Sequence, residues 1–127
     1  AKLSLVEPTL FEAIAAEAPA KMRRFNPQEL ANTAWAFATA GISSPTLFEA
    51  IAAEARAQVR HFNPQDLANT AWAFATAGIS PPRLFEAIAA EAPAKMRRFK
   101  PQEFANTVWA FATAGISSPT LFEAIAA

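Results

Sequence analysis

Asn32-Thr33-Ala34-Trp35-Ala36-Phe37-Ala38-Thr39-Ala40-Gly41 is the stretch that decides the fold. The same residues return at 69–78, and once more at 106–115 with Val108 in place of the first Ala. Trp35, Trp72 and Trp109 are therefore 37 residues apart, as are Phe25, Phe62 and Phe99. Self-similarity at this period marks a repeat architecture, in which each unit buries its apolar face on its neighbours. Ala is the best helix former, and a Gly just past the last turn supplies the left-handed C-cap. The stretch therefore reads as the body and end of a helix.

The helix starts just upstream, where Asn26 suits the N-cap and Pro27 the first helical position. Glu29 completes a capping-box pattern, and Phe25 with Leu30 forms a hydrophobic staple. Asn63, Pro64, Asp66, Phe62 and Leu67 repeat the set; in the third copy Lys100 replaces the capping Asn, at a cost of about 1 kcal/mol if nothing else caps that end. A first helix, A, is thus expected from about Pro27 to Ala40. Ser44 and Pro45 then open helix B, which runs through Leu47, Phe48, Ile51 and Ala55 to about Arg60. Pro19 and Pro93 fall inside helix B of their copies and kink it, whereas Arg56 holds that place in the middle copy.

The expected fold is all-α: an α-solenoid of tandem αα-hairpins with a period of 37 residues. Residues 1–24 are the second half of a repeat, 25–61 and 62–98 are full copies, and 99–127 is an incomplete one. The full copies differ at only seven places. The missing initiator Met and the stop partway through a helix suggest a piece of a longer chain.

Composition narrows the function classes. No apolar run reaches the ~18 residues of a membrane span, and no signal peptide is visible. Without Cys, disulfides and thiolate metal sites are excluded, and the single His61 has no partner of ligand spacing. No catalytic constellation, phosphate loop or cofactor motif is present, so an enzyme is not expected. Lys plus Arg and Asp plus Glu both number 11, a balance less basic than that of a typical nucleic-acid binder.

At 100° per residue, Leu30, Ala31, Ala34, Phe37 and Ala38 share one broad arc of helix A. Gln28, Thr39, Asn32, Ala36, Glu29 and Thr33 occupy the other, with Trp35 at the boundary. Helix A is expected to be the inner, concave-side helix and helix B the outer one. Stacked copies would align Asn32, Asn69 and Asn106 as a ladder, flanked by Gln28, Gln65 and Gln102 and by Thr39, Thr76 and Thr113. Amide side chains carry both donor and acceptor, which suits a base edge, and helical repeats read single-stranded RNA at about one base per repeat. The other reading is that the Asn residues bond the neighbouring repeat and hold the stack together. The tryptophans offer faces for base stacking, but their place beside Phe37 and Leu30 favours packing between repeats.

Bases gather at the end of helix B and in the loop after it, Lys21, Arg24, Arg60, Lys95, Arg98 and Lys100 among them, while Glu residues occupy its first half. Such an edge follows a phosphate backbone. The same distribution also complements the helix macrodipole.

Residues 26–41, Asn-Pro-Gln-Glu-Leu-Ala-Asn-Thr-Ala-Trp-Ala-Phe-Ala-Thr-Ala-Gly, resemble the first helix of octotricopeptide-type repeats, relatives of which carry a RAP domain. The resemblance recurs in every copy. It implies an organellar RNA-binding protein, of chloroplast or mitochondrion, acting on single-stranded RNA or within a ribonucleoprotein in transcript processing, stability or translation. Some similar arrays are architectural subunits of organellar ribosomes, so a protein-interaction scaffold is the alternative.

Overall fold

The computed structural model describes residues 6–116 and Ala126. The second helix of the last copy, in 117–127, thus lies outside the described residues, Ala126 apart. All regular structure among the described residues is helical: α1 Val6–Glu17, α2 Pro27–Ala40, α3 Pro45–Gln58, α4 Pro64–Ala77, α5 Pro82–Glu91 and α6 Pro101–Ala114. Short 3-10 segments follow α1, α3 and α5, at Ala18–Arg24, Val59–His61 and Ala92–Arg98.

Local chemistry accounts for the starts. Asn26 Oδ1 accepts from the Glu29 N–H at 2.7 Å, and the Glu29 carboxylate accepts from the Asn26 N–H at 2.9 Å. Asn63 and Asp66 repeat the pair at 2.7 and 3.1 Å. At Lys100 half of the box survives: the Glu103 carboxylate accepts from the Lys100 N–H at 2.7 Å, and the Glu103 N–H goes to the Lys100 carbonyl. The staple is visible there as Phe99 against Phe104, ring centroids 5.4 Å apart. Gly41, Gly78 and Gly115 end the A-type helices with φ of 72°, 74° and 71°. The following Ile N–H reaches back to the carbonyl of Phe37, Phe74 or Phe111, closing a Schellman motif.

Two expectations about helix B need correction. Ser44 makes no side-chain cap bond, and Pro81 holds the same place in the next copy, so Pro at the first position starts this helix without a capping side chain. The kinked single helix is also not what forms. Where Pro19 or Pro93 stands, the α-helix stops at Glu17 or Glu91 and the chain tightens into seven residues of 3-10 helix. Where Arg56 stands, α3 continues to Gln58. Proline lacks the N–H that another α-helical turn would use.

The A-type helices α2, α4 and α6 pack directly on one another in sequence order. Burial identifies the two flanks of each. Ala31, Ala34 and Ala38 of α2 are buried toward the following copy, whereas Ala105 and Ala112 of α6 are exposed. Conversely Thr107 and Ala110 are buried toward the preceding copy, whereas Thr33 and Ala36 are not. In α4, Thr70 and Ala73 on one flank and Ala68, Ala71 and Ala75 on the other are all buried. Small residues on both flanks allow this close approach.

Each B-type helix adds Phe, Leu and Ile to the core. Phe11 meets Phe37 edge-on at 4.8 Å, Phe48 meets Phe74 at 4.9 Å and Phe85 meets Phe111 at 5.1 Å. Full burial of side chains such as Leu47, Phe48 and Ile51 contributes roughly 1.5–3 kcal/mol each.

Candidate nucleic-acid interface

The face of α2, α4 and α6 turned away from the core carries the polar strip. Gln28, Asn32 and Thr39 are exposed on α2; on α4 Gln65 and Thr76 are exposed and Asn69 is half-buried. On α6, Gln102 and Thr113 are exposed and Asn106 is half-buried. Their helices are neighbours, so the three sets lie side by side. The only hydrogen bond within the strip, among the described residues, runs from Gln102 Nε2 to Asn106 Oδ1 at 3.0 Å, along one helix. Among the described residues no Asn of the ladder bonds the adjacent repeat, so no hydrogen bond there supports the stack-holding reading of these side chains.

Hydrogen bonds that hold the copies together come instead from the end of the B-type helices. Gln58 Nε2 donates to the Phe25 carbonyl at 2.7 Å, and Lys95 Nζ donates to the Phe62 carbonyl at 2.5 Å. The two positions are 37 residues apart, so each ties the end of one copy to its start, where the chain enters the A-type helix. Lys95 also donates to the Arg60 carbonyl at 2.8 Å and pairs with Glu91 at 3.3 Å. Its ammonium is thus committed within the fold, contrary to the expected place on a phosphate edge. The signal was present in Gln58, whose uncharged amide at the equivalent site has no reason to hold phosphate.

Arg24, Arg60, Arg98 and Lys100 are exposed, as is Lys21 with only a loose 3.6 Å pair to Glu17. Lys21 and Arg24 share a groove of about 400 Å³ with Phe25, Glu29, Asn32 and Thr33. Basic groups and the ladder amide therefore meet in one depression at the first copy.

The tryptophans lie outside the buried core. Trp35 is 45% and Trp109 46% exposed, and Trp72 is half-buried between them. Their rings lean on one another, centroids 6.2 Å apart for Trp35–Trp72 and 6.3 Å for Trp72–Trp109. Packing between repeats is real, but it takes place on the exposed strip beside Gln28 and Thr39.

One titratable group is perturbed. Burial raises the Asp66 carboxyl above its usual 3.8, against the lowering pull of the Asn63 N–H and the Lys95 charge. Among the described residues no group of three or more His, Cys, Asp or Glu is placed to hold a metal ion, and no helix is long and apolar enough to cross a membrane.

The family model described as RNA-editing substrate-binding complex 6 protein matches residues 1–127, and the chain belongs to that family. No curated protein matches the chain. The family match overturns the resemblance to octotricopeptide-type repeats. The residues behind that resemblance (an Asn-Pro start, an Ala-rich body with Trp and Phe, a Gly end) are the caps and close-packing chemistry of an αα-hairpin array. Such chemistry specifies the hairpin more strongly than the family.

Proposed function

We propose that this member of the family binds single-stranded RNA along the strip of Gln28, Asn32 and Thr39, Gln65, Asn69 and Thr76, and Gln102, Asn106 and Thr113. In this reading the array is an α-solenoid with the 37-residue period, divided at 1–24, 25–61, 62–98 and 99–127, and the strip lines its concave side. Each copy faces about one nucleotide. Arg24, Arg60, Arg98, Lys100 and Lys21 hold phosphates, while Lys95 belongs to the scaffold. The chain acts as a binding module and not as an enzyme, without a cofactor, and its partners are RNA and proteins of a complex of the kind the family is named for. An organellar location is part of the proposal; the chloroplast and the ribosome fall with the resemblance that suggested them.

The observation that carries this reading is that the ladder amides make no bond to another copy among the described residues. Three successive packed helices present Asn at the same place, without bonds to the next repeat. Because the ladders are identical in every copy, the same base is favoured at consecutive positions. Titrating labelled homopolymers at two salt concentrations tests this, and an equal failure to bind any of them sinks it.

A scaffold that engages protein is the second reading, favoured by the zero net charge. The triple variant Asn32→Ala, Asn69→Ala, Asn106→Ala separates the two. Lost RNA affinity with unchanged melting supports the RNA reading; unchanged affinity with lower melting assigns the asparagines to the stack.

A further inference from the structure

Equivalent tryptophans stand on the same exposed strip as the amide ladder. We infer that each successive pair, Trp35 with Trp72 and Trp72 with Trp109, forms a slot that takes one base of a single-stranded nucleic acid. The inference rests on the RNA-binding reading of this strip and deepens it, by naming side chains that grip the base where the amides would read its edge.

Spacing is the first argument. The centroids are 6.2 and 6.3 Å apart and the ring planes diverge by 32° and 33°. A base sandwiched between two rings needs two stacking distances of about 3.4 Å, roughly 6.8 Å in all. Because the rings are tilted, their centroid spacing is not an open gap, and a base enters once the two rings turn parallel and part to that distance. Packed helix axes lie roughly 8–10 Å apart, so rings leaning together at the shorter distance can open by side-chain rotation alone. The backbone of α2, α4 and α6 need not move.

Exposure and polarity agree. Trp35 and Trp109 leave nearly half of their surface in water, and Trp72 is partly open even with a neighbour on each side. Large apolar side chains left in water forgo the gain of burial, which a stacked base recovers in part. None of the three indole N–H groups has a hydrogen-bond partner among the described residues, so each remains available to donate to a ribose or phosphate oxygen. Lys21 and Arg24 border Asn32 in the adjoining groove, which gives the strip the charge that suits a polyanion.

These are the chain's only tryptophans and it has no Tyr, so intrinsic emission reports the ladder alone. The 127-residue chain is titrated with labelled uridine and adenosine homopolymers, following label anisotropy and tryptophan emission together. Quenching on the same isotherm as binding is expected. Trp72→Leu removes both slots and weakens binding by about tenfold or more, whereas Trp72→Phe, which keeps an aromatic face, recovers most of it. Trp35→Leu and Trp109→Leu each remove one slot, weaken binding less, and at their more exposed positions decide the matter if Trp72→Leu fails to fold.

Wild-type binding with unaltered emission, and Leu variants that bind as tightly, would overturn the slots and leave the amide strip standing. Wild type that binds neither these homopolymers nor those of cytidine and guanosine defeats the RNA reading itself. Leu variants that lower the melting temperature yet keep full RNA affinity reduce the ladder to packing, as a protein-facing surface would.

Discussion

Asp66 shows how one residue departs from its copies. Glu29 and Glu103 cap the same helix start, and the shorter Asp66 does so while buried between neighbouring copies. Burial is the largest influence on its carboxyl and raises its pKa above 3.8. A carboxyl that holds its proton more tightly when folded contributes stability at low pH and loses it as pH rises through the interval between the unfolded and folded values. Asp66→Asn retains an acceptor for the Asn63 N–H and removes the titration. Wild type should therefore lose melting temperature relative to Asp66→Asn as pH rises through and above the usual carboxyl value of 3.8. A difference that is flat, or that runs the other way, would mean that the Lys95 charge outweighs burial. The capping role of this position was legible in the sequence as a box of Asn and an acid three residues on. Its burial was not, because that depends on which helices flank each copy.

The A-type helices were legible almost residue by residue, since Pro at the first turn and Gly after the last fix both ends through backbone chemistry alone. The B-type helices were less so. Ser44 looked like a cap and does not act as one, and Pro19 and Pro93 turn a helix end into 3-10 structure in place of bending it. In both cases backbone groups found partners that a one-dimensional reading cannot assign. α6 offers the element-scale test. Its start keeps the Glu103 half of the capping box but has no side-chain acceptor at Lys100. Lys100→Asn should restore the bond seen at Asn26 and Asn63 and stabilise the chain by about 1 kcal/mol, read as a shift in urea midpoint at constant slope. An unchanged midpoint would show that the Glu103 N–H is already served by the Lys100 carbonyl, 2.9 Å away.

Across the whole molecule the 37-residue period made the neighbours predictable but not the sharing of tasks among them. The wheel's polar arc divides: the Gln28-, Asn32- and Thr39-type positions are exposed or half-buried, whereas Asp66, Thr70 and Ala73 of the same arc are buried in α4. The tryptophans pack between repeats, as their position favoured, but on the strip, because a boundary position on a wheel does not say which way a ring leans. The basic residues read as one population and divide into two. Lys95 joins Gln58 in clamping the chain through the Phe62 and Phe25 carbonyls, while Arg24, Arg60 and Arg98 stay exposed. This division makes a joint prediction about stability and binding. Lys95→Met keeps the aliphatic stem but leaves two carbonyls without their donor, at a cost of about 1–3 kcal/mol. RNA affinity and its salt dependence should hold wherever that variant is folded. Replacing Arg24, Arg60 and Arg98 by Ala should leave melting nearly unchanged and flatten the plot of log affinity against log salt by about 0.7 for each phosphate no longer neutralised. The same titration on both variants decides it. If Lys95→Met flattens the slope as an Arg replacement does and melts like wild type, the clamp is incidental and Lys95 belongs with the phosphate edge after all.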